Sequence, residues 1–125
     1  ADKYKVKYQF NRYFPIKTVN LMRSALVAEK DNFLRSFVDK AFNAVWVDSL
    51  NMNDDEVFLK FIKNQDLNSD LFSLKYNDPV IKNELIKRTD DSFAKGVFGV
   101  PTFIVNGKLF WGQDRLEFVL SEATK

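Results

Sequence analysis

The 125-residue sequence contains no cysteine and no histidine. Without cysteine, the chain can form no disulfide and offers no thiol nucleophile. Without histidine, it lacks the side chain that most often transfers protons near neutral pH. Zinc sites of the usual kind also depend on these two residue types. The two absences therefore exclude thiol catalysis, imidazole acid–base catalysis and ordinary zinc binding by residues of this chain.

Long apolar runs and blocks of like charge are also missing. No apolar run approaches the ~18 residues that a membrane span requires, and no signal-peptide core precedes the first predicted element. The net charge of +2 comes from interspersed lysine and acidic residues, with no basic cluster of the kind that binds nucleic acid. We therefore expect a cytoplasmic protein whose partners are neither membranes nor nucleic acids.

The sequence is rich in large apolar residues, including thirteen phenylalanines. A chain of this length is expected to form one domain, spanning residues 1–125, with a core of its own. Phenylalanine side chains of this number indicate either a packed interior or an apolar binding surface.

The spacing of the apolar residues predicts a mainly helical chain with a short hairpin near its C-terminus. Alternation from Tyr4 to Phe10 predicts a strand, and Asn106-Gly107 is a strong hairpin signal between two apolar runs. Gly96 is placed to end a long helix, and Asp54-Asp55-Glu56 is typical of helix capping, not of a metal site. The predicted helices cover residues 16–30, 32–48, 53–64, a short stretch around 70–75, 78–95 and 113–122, and the hairpin strands cover 103–105 and 108–111.

The Val100-Pro101 pair stands at the head of the first hairpin strand. A bond to proline can be cis at modest cost, and proline has no N–H to donate to a neighbouring strand. If the bond is cis, the N–H and C=O of Val100 face outward, where an extended peptide could add as a short strand. The alternative is a proline that only begins an edge strand.

The sequence Gly112-Gln113-Asp114-Arg115 follows the second hairpin strand and opens the last helix. The N-terminus of a helix offers free N–H groups and partial positive charge to a carboxylate. Gln113 can add hydrogen bonds, and Asp114 can hold an ammonium group, so the segment suits the head of an α-amino acid. The alternative is plain helix capping, with Arg115 as a surface residue.

Several other residues are candidates for a substrate pocket. Phe14, Phe98 and Trp111 could line a pocket for a flat aromatic acid, and Asn11 lies in a loop where a substrate carboxylate could be met. The alternatives are core packing for the aromatic residues and a solvated turn for Asn11.

Several of these motifs, taken together, resemble those of one known family. The chain is similar to the 2-hydroxychromene-2-carboxylate isomerases and the related kappa-class glutathione transferases, which have a DsbA-like thioredoxin fold of the α/β class. The resemblance implies a helical insertion over residues 15–77 and the second half of the thioredoxin fold over 78–125. Lys17 departs from the pattern, because the family more often has asparagine there. The residues that carry the resemblance are Phe10-Asn11, Phe14-Pro15, Thr18, Leu21-Met22-Arg23, Gly96 to Thr102 and Phe110 to Arg115.

The resemblance implies glutathione as the cofactor and a small aromatic carboxylate as the substrate. The cysteinyl part of glutathione would pair with Val100 and Pro101, and its γ-glutamyl end would bind Gln113, Asp114 and Arg115. The family's strand–helix–strand segment, with its catalytic serine, would lie upstream of Ala1, so no catalytic residue is assigned within this chain. The implied reaction is the isomerisation of a chromene carboxylate to the trans-hydroxybenzylidenepyruvate, and a homodimer is left open.

Two alternatives remain beside the isomerase. A DsbA-like thiol-disulfide oxidoreductase would share the fold, and it predicts a Cys-X-X-Cys motif upstream where the isomerase predicts a lone serine. An inactive, truncated binding module is the third hypothesis, and it predicts weak or no binding of glutathione.

Overall fold

A computed structural model describes residues 5–64 and 69–125 of the chain. The fold is mainly helical, with one antiparallel hairpin near the C-terminus, as the sequence predicts. The elements in chain order are α1 (Val19–Lys30), α2 (Leu34–Trp46), α3 (Asp55–Lys63), α4 (Ser69–Asn77), α5 (Pro79–Ala94), β1 (Thr102–Val105), β2 (Lys108–Trp111), a 3₁₀ turn (Gln113–Arg115) and α6 (Leu116–Ala123).

The chain divides into two compact units, Ala1–Leu85 and Ile86–Lys125. The boundary falls within α5, so the first unit holds α1 to α4 and the second holds the hairpin and α6. The sequence predicts one domain with a helical insertion over residues 15–77, whereas the boundary between these two units falls between Leu85 and Ile86.

The first unit has an apolar core built by its helices. Aromatic side chains contribute much of it: Phe37 meets Phe61 edge-on with ring centroids 6.0 Å apart, and Phe58 meets Tyr76 in the same way at 5.3 Å. Edge-to-face pairs of this kind add to the stabilisation that comes from burial alone. The buried apolar residues are Leu21, Leu26, Val27, Ala28, Phe37, Ala44, Val45, Met52, Phe58, Phe61, Ile62, Phe72, Tyr76 and Ile81.

The second unit is organised around a two-stranded sheet in which Thr102 pairs with Trp111 and Val105 with Lys108. The turn residues Asn106 and Gly107 have φ values of 50° and 77°. Positive φ at both central positions is the geometry of a type I′ turn, whose twist matches that of the strands. The predicted hairpin is therefore confirmed, with β1 beginning one residue earlier.

The C-terminus of α5 ends as predicted at Gly96, which has a φ of 84°. The N–H of Gly96 donates to the carbonyl of Phe93, and the N–H of Val97 donates to that of Ser92. This pair of hydrogen bonds is the Schellman motif, which needs a left-handed residue and so favours glycine. The capping predicted at α3 is also confirmed, because the Asp54 carboxylate accepts hydrogen bonds from the N–H groups of Glu56 and Val57.

The predicted strand from Tyr4 to Phe10 is wrong. Tyr4 lies outside the described residues, and residues 6–10 have no regular secondary structure. The segment instead packs against the C-terminal end of α2. The N–H of Gln9 donates to the carbonyl of Trp46 at 2.6 Å, and the Tyr8 ring stacks on the Trp46 indole. A strand needs a partner ladder, and within the described chain the segment borders α2.

The first helix begins at Val19, three residues later than predicted. The main chain of Pro15 and Lys17 is hydrogen-bonded to the side chain of Asn53, 38 and 36 residues away. The first hydrogen bond of the helix runs from the N–H of Met22 to the carbonyl of Thr18. Pro15 therefore lies before the helix and not in its first turn.

Glu122 ties α6 to the hairpin in the second unit. Its carboxylate accepts hydrogen bonds from Lys108 at 2.9 Å and Lys125 at 3.0 Å, and its main-chain carbonyl accepts one from Asn106. The hydrogen bond from Lys108, followed by that from Lys125, lowers the pKa of Glu122 from its ordinary value of 4.5 to about 2. The folded state therefore favours the charged carboxylate.

We expect this ion pair to make the free energy of unfolding depend on pH in the acidic range. Because the folded pKa of Glu122 lies below the unfolded one, its contribution is complete above pH 4.5 and is lost as the pH falls towards 2. The variant Glu122→Gln should lose less stability than the wild type between pH 6 and pH 2 in urea unfolding followed by circular dichroism. Glu117→Gln, an exposed change on the same helix, should behave as the wild type. Equal acid sensitivity of wild type and Glu122→Gln would contradict this account.

Candidate functional site

A surface cavity of about 460 Å³ lies in the second unit, beside the head of the hairpin. It brings together all five residues that the sequence predicts to bind glutathione, and it also includes one of the predicted substrate residues. The lining residues are Val100, Pro101, Trp111, Gly112, Gln113, Asp114 and Arg115.

The hairpin register explains why these residues meet. Thr102 pairs with Trp111, so the residue before β1 lies beside the residue after β2. The N–H of Gly112 donates to the carbonyl of Pro101 at 2.9 Å and closes this junction. The two segments that flank the hairpin thus form one wall, although Pro101 and Gly112 are eleven residues apart in sequence.

Val100 presents its main chain openly. The Val100-Pro101 peptide bond is cis, and Val100 is 86% exposed. Neither its N–H nor its C=O forms a hydrogen bond with any residue of the described ranges 5–64 and 69–125. Both groups are therefore free for an extended peptide lying along the cavity, which is the geometry of strand addition.

The segment Gln113–Arg115 is a 3₁₀ turn, and the α-helix proper begins only at Leu116. The turn is closed by a hydrogen bond from the N–H of Arg115 to the carbonyl of Gly112 at 3.3 Å. Within the described chain, the N–H groups of Gln113 and Asp114 have no hydrogen-bond partner. The predicted helical N-terminus is therefore a short 3₁₀ turn, but it still offers two free donors to a carboxylate.

Opposite charges lie side by side in this turn. The Asp114 carboxylate and the Arg115 guanidinium are 3.7 Å apart, and both are largely exposed. Gly112, at a φ of 104°, makes room for the carboxylate, because a Cβ there would lie 2.5 Å from an oxygen of Asp114. The arrangement can receive a zwitterion, with its ammonium group at Asp114 and its carboxylate at the N–H groups or at Arg115.

The aromatic residues Phe98 and Trp111 pack together next to the cavity. Their ring centroids are 5.2 Å apart with the planes tilted by 54°. The indole lies so close to Gly99 that a Cβ at Gly99 would be 2.6 Å from the indole nitrogen. Trp111 lines the cavity, while Phe98 supports the indole and is itself exposed.

Asn11 does not face a cavity. Its side chain is completely buried, with an exposed fraction of 0%. Its amide donates to the carbonyls of Val45 and Leu50, both at 2.9 Å, and its oxygen accepts from the N–H of Tyr13. The side chain thus anchors its loop to the end of α2. A role in binding substrate stays a prediction that this geometry does not favour.

Phe14 lines an apolar pocket of about 230 Å³ in the first unit, between α1 and α2. The sequence did not predict its other members as site residues, because apolar residues at helical spacing on two helices are equally typical of a core. Phe42 is 63% exposed in the structure, and this exposure, which the sequence does not give, distinguishes the pocket from a simple core. The lining residues are Phe14, Ile16, Thr18, Leu21, Met22, Ala25, Phe37, Val38, Ala41, Phe42, Val45 and Trp46.

The chain belongs to the family of DSBA-like thioredoxin domains, which residues 1–123 match. A 2-hydroxychromene-2-carboxylate isomerase of Sphingobium xenophagum is 28% identical over 121 residues, covering 97% of this chain and 61% of that protein. A solved structure of a 2-hydroxychromene-2-carboxylate isomerase matches with a TM-score of 0.81 at 19% identity, covering 97% of this chain and 59% of the other. The predicted DsbA-like fold is confirmed.

The chain spans about three fifths of the length of these two relatives. Among the described residues, no helix is long and apolar enough to cross a membrane.

Proposed function

We propose that this chain provides the glutathione-binding part of a glutathione-dependent isomerase that acts on an aromatic chromene carboxylate. One observation carries the proposal: Val100, Pro101, Gln113, Asp114 and Arg115 line a single cavity. The similarity to a 2-hydroxychromene-2-carboxylate isomerase supports the reaction class.

The cavity matches the groups of glutathione along its length. The free N–H and C=O of Val100 would pair with the cysteinyl main chain, as in strand addition. The γ-glutamyl head has an ammonium group and a carboxylate, which suit the Asp114 carboxylate and the free N–H groups of Gln113 and Asp114. Charge-assisted hydrogen bonds of this kind fix the orientation of the peptide and hence the position of its thiol.

Glutathione, when bound, supplies a thiol that can add reversibly to a conjugated carbon and so permit rotation about the former double bond. The residues of this chain would hold the peptide, and we assign none of them to the activation of the thiol. We therefore assign the chain a binding and orienting role.

The size and lining of the apolar pocket in the first unit favour a substrate with an aromatic ring. An apolar cavity of roughly 150 Å³ holds a benzene molecule, so the pocket of about 230 Å³ has room for a larger ring. Phe14, Phe42 and Trp46 offer ring faces and edges on which a flat acid can stack. We propose this pocket as a binding site for a flat aromatic ring.

Calorimetry with two peptides tests the glutathione site. We expect glutathione to bind the full chain and cysteinylglycine, which lacks the γ-glutamyl head, to bind at least about tenfold more weakly, since charged hydrogen bonds contribute about 1.5–3 kcal/mol. Absence of heat with glutathione would contradict the proposal and favour an inactive module. Equal affinity for both peptides would remove the assigned role of Gln113 and Asp114.

A further inference from the structure

The loop of residues 11–17 forms one wall of the apolar pocket in the first unit. Two of its side chains, those of Phe14 and Ile16, line the pocket. The loop precedes α1 and has no helical or sheet hydrogen bonds to fix its main chain. Its shape therefore depends on a turn hydrogen bond within the loop and on contacts from elsewhere in the unit.

Asn53 provides contacts on both sides of Ile16. Its side-chain oxygen accepts a hydrogen bond from the N–H of Lys17 at 2.8 Å, and its amide nitrogen donates to the carbonyl of Pro15 at 3.3 Å. A single side chain thus bonds the main chain immediately before and after a pocket residue. This pairing fixes the direction in which Ile16 leaves the main chain.

Asn53 is itself hydrogen-bonded through its main chain. Its N–H donates to the side-chain oxygen of Asn51 at 3.2 Å. The next residue, Asp54, caps α3 through hydrogen bonds from Glu56 and Val57. Asn53 therefore connects the loop to the residue that caps α3.

The opposite end of the loop is fixed by Asn11, whose carbonyl accepts a hydrogen bond from the N–H of Phe14 at 3.1 Å. The Phe14 ring then packs on Trp46 and Phe10, with centroid separations of 6.4 and 5.5 Å. With Asn11 on one side and Asn53 on the other, the loop holds Phe14 and Ile16 against α1 and α2.

We infer that Asn53 is a positioning residue for the binding of an aromatic ring in the pocket of the first unit. It acts through the main chain of Pro15 and Lys17 and sets the distance between the loop and Trp46. The identity of the ring as part of a substrate rests on the proposed function, whereas the binding of a ring does not.

The test measures binding of 1-naphthoate to the full chain in a Trp111→Phe background. The chain has two tryptophans, so this background leaves Trp46 as the only indole, and its fluorescence reports on the pocket directly. We expect Asn53→Ala to weaken naphthoate binding about tenfold, because without both hydrogen bonds the loop holds its ring-binding conformation only part of the time, and the apparent affinity falls with that fraction. Asn53→Asp retains the acceptor for Lys17 and should bind within about threefold of the parent.

Matched measurements separate positioning from general loss of structure. Asn43→Ala changes an exposed asparagine of α2 outside the pocket lining, and it should bind naphthoate as the parent does. The thermal midpoint of each variant is measured alongside, and the inference requires Asn53→Ala to remain folded at the binding temperature while its affinity falls. Unchanged affinity in Asn53→Ala, or failure of Asn53→Asp to restore it, would overturn the inference.

The proposed glutathione site and the proposed role of Asn53 can be contradicted independently of each other. Naphthoate binding without glutathione binding would remove the proposed function and leave the role of Asn53 standing. Absence of naphthoate binding in the parent would overturn the inference and leave the glutathione site untouched.

Discussion

Replacing Asp114 by alanine is expected to weaken glutathione binding by about tenfold to a hundredfold. The carboxylate is the acidic group that lines the cavity, and we assign it the ammonium group of the γ-glutamyl head. A hydrogen bond to a charged partner contributes about 1.5–3 kcal/mol, which corresponds to this range of dissociation constants. Calorimetry on the full chain gives the affinity of each variant.

Two further variants sharpen this prediction. Asp114→Asn keeps an oxygen acceptor but loses the charge, so its affinity should fall between those of the wild type and Asp114→Ala. Asp90→Ala removes an exposed carboxylate of α5 that does not line the cavity, and it should leave the affinity unchanged. An Asp114→Ala variant that binds as well as the wild type would show that the γ-glutamyl head is held elsewhere.

Replacing Asn11 by alanine is expected to lower the free energy of unfolding by about 3 kcal/mol. The change removes three hydrogen bonds and leaves the carbonyls of Val45 and Leu50 without the amide that now binds them. Each buried polar group that loses its partner costs roughly 1–3 kcal/mol. Urea unfolding followed by far-ultraviolet circular dichroism measures the loss.

The control for Asn11 is again Asn43→Ala, which changes an asparagine whose side chain is exposed. That variant should unfold within about 0.5 kcal/mol of the wild type, as surface substitutions usually do. An equally mild effect of Asn11→Ala would show that the structural role assigned to Asn11 is wrong.

The hairpin and its flanking residues could be predicted from the sequence because their signals are local. Asn106-Gly107 demands a two-residue turn, and that turn fixes the register that brings Pro101 beside Gly112. Gly96 ends α5 for an equally local reason, since only a left-handed residue completes the observed pair of hydrogen bonds. The cavity of the second unit follows from these short-range constraints.

The first unit could be predicted less well because its decisive contacts span long stretches of sequence. Asn53 bonds to residues 36 and 38 positions away, and Asn11 bonds to residues 34 and 39 positions away. No local pattern indicates such pairs, so the sequence predicts α1 to begin too early, and for Asn11 it offers a substrate contact or a solvated turn but not the burial observed. The strand predicted over residues 4–10 failed for a related reason, since alternation alone does not supply a partner strand.

Amide chemical-shift changes during titration with glutathione test the central claim most directly, because they locate the ligand on the full chain. We predict that the largest changes fall on Val100, Gln113 and Asp114, whose N–H groups have no hydrogen-bond partner within residues 5–64 and 69–125. Saturable changes that cluster elsewhere in the chain, or no changes at all, would contradict it.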